Sequence, residues 1–129
     1  MVREPDPEAN RLSFTVIGAA IEVHRWFGPG FLENVYEAAL AIELASRSIP
    51  FEQQKGIPLL YKGRVIATHR LDLLIGERLV VELKAVDVIA PIHVAQMISY
   101  LTATQLSLGL LINFQVPILK HGIHRVIRS

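Results

Sequence analysis

The stretch that most constrains the fold is residues 71–84, where Leu, Ile and Val dominate on both sides of a short polar segment. This pattern predicts two β-strands joined by a tight turn at residues 76–78. A three-residue turn pairs Ile75 with Leu79 and fixes the register of the whole hairpin. The register matters because side chains alternate between the two faces of a strand.

Three charged side chains interrupt the apolar pattern. In the predicted register Asp72 lies opposite Glu82, and Lys84 shares their face of the sheet. The two carboxylates then have Cβ atoms about 5 Å apart, which requires a proton or a cation between them. A hard divalent ion would neutralise them more completely than Lys84 alone. The alternative is a structural ion pair between Lys84 and one of the carboxylates on a solvated face.

The same alternation predicts which neighbours of Asp72 on its own strand share its face of the sheet. Arg70 is two residues away and shares the face of Asp72, whereas His69 falls on the opposite face. We therefore expect Arg70, and not His69, to lie beside the carboxylate pair.

Composition restricts the class of protein. With 129 residues, 51% of them hydrophobic, the chain suits one domain whose sheet is thoroughly covered or takes part in a subunit interface. No apolar run reaches the length of a membrane span, and the polar, proline-containing residues 1–8 do not resemble a signal peptide. We expect a cytoplasmic protein without membrane attachment.

Charge and cysteine content exclude other classes. The net charge of +1 does not indicate a nucleic-acid binder, although a local basic patch remains compatible with it. The chain has no cysteine, which excludes disulfides, thiolate catalysis and thiolate zinc sites.

Hydrophobic periodicity predicts the order of the elements. Residues 1–10 are expected to be a flexible N-terminal segment, followed by a single domain over 11–129. In the third helix we expect Ile92, Ala95, Ile98 and Leu101 to form the buried stripe. The predicted elements are helices at about 12–27, 32–48 and 91–104, a meander of strands over 51–84 with Pro58 near a sheet edge, a buried strand at 108–114 and a last strand at 124–127.

Two short motifs and this order of elements together resemble a known group of proteins. Asp72 with Glu82-Leu83-Lys84 resembles the signature of the PD-(D/E)xK nuclease superfamily, although Leu71 replaces the nominal proline before the aspartate. Residues 30–36, Gly-Phe-Leu-Glu-Asn-Val-Tyr, resemble the defining motif of the GxxExxY family of small proteins within it. Residues 96–100, Gln-Met-Ile-Ser-Tyr, resemble the Gln-x-x-x-Tyr motif of its exonuclease-like branches.

The resemblance implies an α/β fold with a restriction-endonuclease-like core, in which helices flank a central mixed β-sheet. It also implies a metal site. Asp72, Glu82 and the backbone carbonyl of Leu83 would hold Mg²⁺, for which Mn²⁺ could substitute, and Glu33 would complete or orient the site. Oxygen ligands suit these hard cations.

The resemblance assigns the remaining polar residues to catalysis and substrate binding. Lys84 would position the attacking water or stabilise the charge that develops on the phosphate. Gln96 and Tyr100 would hold the substrate backbone, and Arg70 is a candidate phosphate contact.

The implied function is metal-dependent hydrolysis of phosphodiester bonds in DNA or RNA, with DNA the favoured partner. The alternative is a nuclease-fold protein that does not cut and instead serves as a nucleic-acid-binding or protein-binding subunit. We also expect a homodimer, because so small and apolar a core leaves hydrophobic surface to cover.

Overall fold

A computed structural model describes residues 5–128 of the chain as helices packed on a five-stranded sheet. The elements are α1 (Pro7–Phe27), α2 (Glu33–Ser46), β1 (Phe51–Tyr61), β2 (Arg64–Ile75), β3 (Leu79–Lys84), α3 (Pro91–Thr104), β4 (Leu108–Asn113), a 3₁₀ turn (Leu119–Gly122) and β5 (Ile123–Ile127). Within residues 5–128, no helix is both long enough and apolar enough to cross a membrane.

The sheet is mixed, and its strand order follows the chain from β1 to β5. β1, β2 and β3 form an antiparallel meander, and β4 then joins β3 in parallel. Parallel neighbours need a crossover connection, which α3 provides. β5 returns antiparallel to β4. The predicted α/β core, with helices flanking a central mixed sheet, is confirmed.

Apolar side chains fill both faces of the sheet. α1 and α2 cover one face, where Tyr36 and Leu40 pack with Val81 and Ile112 in the larger cluster of buried residues. α3 covers the other face above a smaller cluster. All six residues of β4 are buried, as the sequence predicted for residues 108–114.

The first helix begins earlier than the sequence suggested. Residues 1–4 of the expected flexible segment lie outside the described residues, but Pro7 already starts α1. The side chain of Asp6 accepts the backbone N–H of Glu8 and an N–H of Arg78 at 2.7 Å, which caps the helix and fixes it to the turn after β2. Ala9 is fully buried. Residues 7–10, which the sequence analysis assigned to the flexible segment, are therefore part of α1.

The buried stripe of α3 also differs from the prediction. Met97 and Leu101 are fully buried, whereas Ile92, Ile98 and Ala95 are exposed. A Cβ atom built on Gly109 of β4 would lie 2.3 Å from the sulfur of Met97. The missing side chain of the glycine is what lets the methionine lie against the sheet, and this contact sets the rotation of α3.

The hairpin of β1 and β2 extends beyond the rest of the sheet. β1 is one continuous strand at the sheet edge, so the short strands predicted over this stretch are merged and Pro58 lies on an edge strand as expected. β2 pairs with β3 at Leu73–Ile75, while β1 and β2 stay paired as far as Tyr61 and Arg64. We call residues 55–71 the hairpin arm.

Candidate active site

The two carboxylates predicted to face each other lie where β2 and β3 separate. The strands pair through Ile75 with Leu79 and Leu73 with Val81, so the predicted register is confirmed. Asp72 and Glu82 are the next residues outward from the last of these pairs.

Side chains continue the connection between the strands at this point. The backbone N–H of Asp72 donates to Oε2 of Glu82 at 3.1 Å. The backbone N–H of Leu83 donates to Oδ2 of Asp72 at 2.8 Å. Each carboxylate therefore binds the opposite strand, and the two side chains are held rigidly in place.

Burial gives Glu82 an unusual protonation state. Only 5% of the residue is exposed, and burial raises its pKa to about 8, with a further contribution from the charge of Asp72. Lys84 acts in the opposite direction but does not offset these effects. At neutral pH and without a cation, the carboxyl of Glu82 thus holds a proton. This is one of the two solutions that the sequence required for carboxylates so close together.

The backbone carbonyl of Leu83 faces the same gap. In a strand the N–H and C=O of one residue point to the same neighbour. The N–H of Leu83 reaches Asp72 on β2, whereas the carbonyl of Lys84 accepts the N–H of Phe114 on the other side. The Leu83 carbonyl is therefore directed toward β2 beside the carboxylates.

Glu33 lies in the first turn of α2 and is exposed. Partial desolvation raises its pKa, Lys84 lowers it and Asp72 raises it further, so Glu33 is within electrostatic range of Lys84 and Asp72. Within residues 5–128, however, no three His, Cys, Asp or Glu side chains are grouped so that they could hold one metal ion. The structure thus does not bring Glu33 together with Asp72 and Glu82 as a three-carboxylate group.

His69 lies in the site, contrary to the expectation from strand alternation. Its Nε2 is 3.3 Å from Oε1 of Glu82, and its ring stacks on Tyr100 with centroids 3.9 Å apart. Burial lowers the pKa of His69 and raises that of the Tyr100 hydroxyl. His69 therefore bridges Glu82 on β3 and Tyr100 on α3.

The alternation fails because β2 is irregular at Asp72. Leu71 belongs to the buried cluster beneath α3, whereas Leu73, two residues on, belongs to the cluster beneath α1 and α2. In a regular strand these two side chains would share a face. On β1, Gln54 lies between the residues paired with Leu71 and Leu73 and has a positive φ of 51°. The irregularity turns His69 toward α3.

The other predicted site residues differ in their exposure and contacts. Arg70 is exposed and donates to the backbone carbonyl of Gln54 at 3.2 Å. Gln96 is exposed on α3, whereas Tyr100 is half-buried against His69. Lys84 is half-buried at the end of β3.

Asn113 is a buried polar residue that the sequence did not single out. It is 2% exposed. Its amide oxygen accepts the N–H groups of Val86 and Gln115, both at 3.1 Å, and its nitrogen donates to the carbonyl of Val86 at 2.8 Å. Asn113 therefore holds the backbone just after Lys84. The available signal was an amide ending an otherwise apolar strand.

The donor set suits a hard divalent cation held by few protein ligands. Asp72 and Glu82 each use one oxygen to bind the opposite backbone, and their other oxygens make only long contacts of 3.5 Å to Gln54 and 3.3 Å to His69. Mg²⁺ commonly takes one or two carboxylates and keeps several waters. Two carboxylates and a strand carbonyl fit that pattern.

Comparison with family models gives a match over most of the chain. The family model described as PD-(D/E)XK nuclease superfamily matches residues 10–126. No curated protein matches the chain, and no solved structure matches it.

Proposed function

Because the chain belongs to the PD-(D/E)XK nuclease superfamily, we propose that it is a metal-dependent nuclease that hydrolyses phosphodiester bonds, with DNA as its substrate. The matched region contains all the residues discussed above, from Glu33 to Asn113. The finer assignment to the GxxExxY family, on residues 30–36, is part of this proposal.

The observation that carries the proposal is the pairing of buried Glu82 with half-buried Asp72. A carboxyl that keeps its proton to a pH of about 8 gains little for folding over an apolar residue of similar size. Once a cation replaces the proton, the carboxylate serves as a ligand of that cation. Perturbed titration of this kind, caused by burial and a specific charged neighbour, is typical of functional sites.

In this proposal Asp72, Glu82 and the Leu83 carbonyl hold Mg²⁺, or Mn²⁺ in its place. The bound ion would polarise the scissile phosphate and lower the pKa of a water molecule. Lys84 shares the strand and the face of Glu82, where its ammonium group can orient that water or stabilise negative charge on the phosphate. Glu33 would act at the edge of the site through a water molecule.

Tyr100, Gln96 and Arg70 are proposed to bind the substrate. Tyr100 is held by its stack on His69, whose Nε2 lies 3.3 Å from Oε1 of Glu82. Gln96 lies one turn before it on the same helix and is exposed. Arg70 is exposed on the strand that carries Asp72, where a guanidinium can bind a phosphate.

One observation favours the alternative function of a binding subunit that does not cut. The described residues do not group three metal-ligating side chains, so the site depends on two carboxylates. A protein of this kind would bind nucleic acid or protein without cleaving it.

The test is cleavage of labelled single-stranded and double-stranded DNA and RNA with Mg²⁺ or Mn²⁺, comparing the wild type with Lys84→Ala and with Lys120→Ala as a matched control. We expect metal-dependent cutting by the wild type and by the control, and a loss of about 10²-fold or more in Lys84→Ala. Calorimetry with Mg²⁺ separates the two functions. A folded wild type that neither cuts nor binds the ion would refute the nuclease proposal and support the binding subunit.

A further inference from the structure

The hairpin arm is a two-stranded ribbon that leads away from the carboxylate pair. Its base is fixed: Ile57 packs with Leu71, Met97 and Leu101, and His69 stacks on Tyr100. Arg64, at the tip of the arm, lies seven residues before Leu71 at its base. This spacing corresponds to about 24 Å at the rise of roughly 3.4 Å per residue in an antiparallel strand. The ribbon therefore reaches well outside the site.

Positive charge is concentrated on this ribbon. Residues 55–71 contain four Lys and Arg and no Asp or Glu, whereas the rest of the chain contains nine Lys and Arg against twelve Asp and Glu. The net charge of +1 conceals this separation into a basic arm and an acidic body. A basic element attached to a hydrolytic site is suited to a polyanionic substrate.

The cations at the tip are free to bind a ligand. Lys55 pairs with Glu52 and Arg70 donates to the backbone. Lys62 lies over the ring of Tyr61, and within residues 5–128 neither Lys62 nor Arg64 forms an ion pair with a carboxylate. The tip therefore offers two positive charges that no internal partner neutralises.

Apolar side chains accompany these charges. Leu60, Tyr61, Val65 and Ile66 are each more than 60% exposed. Leu60 pairs with Val65, and Tyr61 with Arg64, across the end of the ribbon. An isolated two-stranded ribbon is only marginally stable in water, so exposed apolar residues at its tip indicate contact with a ligand.

We propose that the hairpin arm binds duplex DNA beside the cleavage site by entering the major groove, with Lys62 and Arg64 on the flanking phosphates. This inference rests on the proposed nuclease function and adds the structural element that binds the DNA and the duplex form of that substrate. The major groove of B-form DNA admits a two-stranded β-ribbon and presents thymine methyl groups to apolar side chains. The deep and narrow major groove of duplex RNA does not admit it.

Pairing of β1 with a second copy of the chain is the competing use of the ribbon. β1 carries Pro58, which lacks an N–H donor, a register shift at Leu59 and Leu60, and a positive φ at Gln54. These features oppose edge-to-edge pairing.

The experiment measures binding of a fluorescent 20-base-pair DNA duplex by anisotropy in EDTA, where no cleavage occurs, across a range of salt concentrations. The test variant is Lys62→Gln with Arg64→Gln. The matched control is Arg25→Gln with Lys120→Gln, which removes the same charge from exposed positions outside the arm. Duplex RNA and single-stranded DNA of the same sequence are measured in parallel, and thermal melting checks that all variants are folded.

We expect the wild type and the control to bind duplex DNA more tightly than either other nucleic acid. The test variant should bind at least about tenfold more weakly at 0.1 M salt, and its plot of log K against log salt should be shallower by about 1.8, since each lost phosphate contact contributes about 0.9.

Equal losses in the test variant and the control would overturn the proposal, as would tighter binding of duplex RNA or single strands by the wild type. Light scattering compares the mass of the test variant with that of the wild type. A change of mass would show that the ribbon mediates association of two copies, and this result would also overturn the proposal. Because binding is measured without metal, failure here is distinct from failure of the nuclease proposal, which is read from cleavage in Mg²⁺.

Discussion

Asp72 and Glu82 are linked through the backbone of each other's strand: Glu82 accepts the N–H of Asp72 at 3.1 Å, and Asp72 accepts the N–H of Leu83, the neighbour of Glu82, at 2.8 Å. The carboxylates thus take the place of the backbone hydrogen bonds between β2 and β3 just beyond the pair Leu73 and Val81. This linkage fixes half-buried Asp72 beside buried Glu82, where two charged carboxylates would repel each other. The first two predictions depend on it.

The stability of the metal-free protein should fall as pH rises. Glu82 has a folded-state pKa of about 8, above its ordinary value of 4.5, so the folded state retains a proton that the unfolded state has lost. The stabilisation is complete below about pH 4.5 and is lost as pH approaches 8, by a few kcal/mol as an order of magnitude. Urea unfolding in EDTA between pH 5 and 9 measures it. Glu82→Gln should remove this loss, and exposed Glu22→Gln should retain it.

Magnesium should stabilise the fold through Asp72 and Glu82. Metal binding requires deprotonated ligands, so the gain in melting temperature should be larger at pH 8.5 than at pH 6. At a Mg²⁺ concentration ten times the dissociation constant, the free energy of unfolding should rise by about 1.4 kcal/mol. Asp72→Asn should abolish it and Glu22→Gln should preserve it. An undiminished gain in Asp72→Asn would place the metal elsewhere.

The stack of His69 on Tyr100 should contribute to stability independently of the tyrosine hydroxyl. Tyr100→Phe keeps the ring and should change the free energy of unfolding by less than about 0.5 kcal/mol, whereas Tyr100→Ala should cost about 1–2 kcal/mol. Thermal melting compares them, with exposed Tyr61→Ala as the control. If the hydroxyl binds substrate, Tyr100→Phe should raise KM for cleavage while its stability stays unchanged. A large loss of stability in Tyr100→Phe would contradict this separation.

Asn113 should position Lys84 by holding the loop that follows it. Asn113→Ala leaves the partly buried N–H and carbonyl of Val86 without their side-chain partner, which should cost about 1–3 kcal/mol. The variant should also cut more slowly at temperatures where it remains folded, with kcat reduced more than KM is changed. Substitution of exposed Lys120 by Ala is the control. Full activity in a destabilised but folded Asn113→Ala would show that the residue serves stability alone.

Much of this architecture follows from local sequence patterns. The turn at residues 76–78 fixes the register of Asp72 with Glu82, the apolar run over residues 108–114 predicts a buried strand, and Pro91 marks the start of α3. Each of these depends on neighbours in sequence: turn length, side-chain alternation and hydrophobic period. These short-range rules hold when a strand or helix is regular.

Only the tertiary structure decided the features that depend on contacts between distant segments. His69 faces the site because β2 is irregular at Asp72, where the side-chain alternation breaks. α3 buries Met97 instead of Ile92 and Ile98 because Gly109, on another strand, leaves space for the sulfur. A periodicity gives the faces of an isolated element, but packing between elements selects which face is buried.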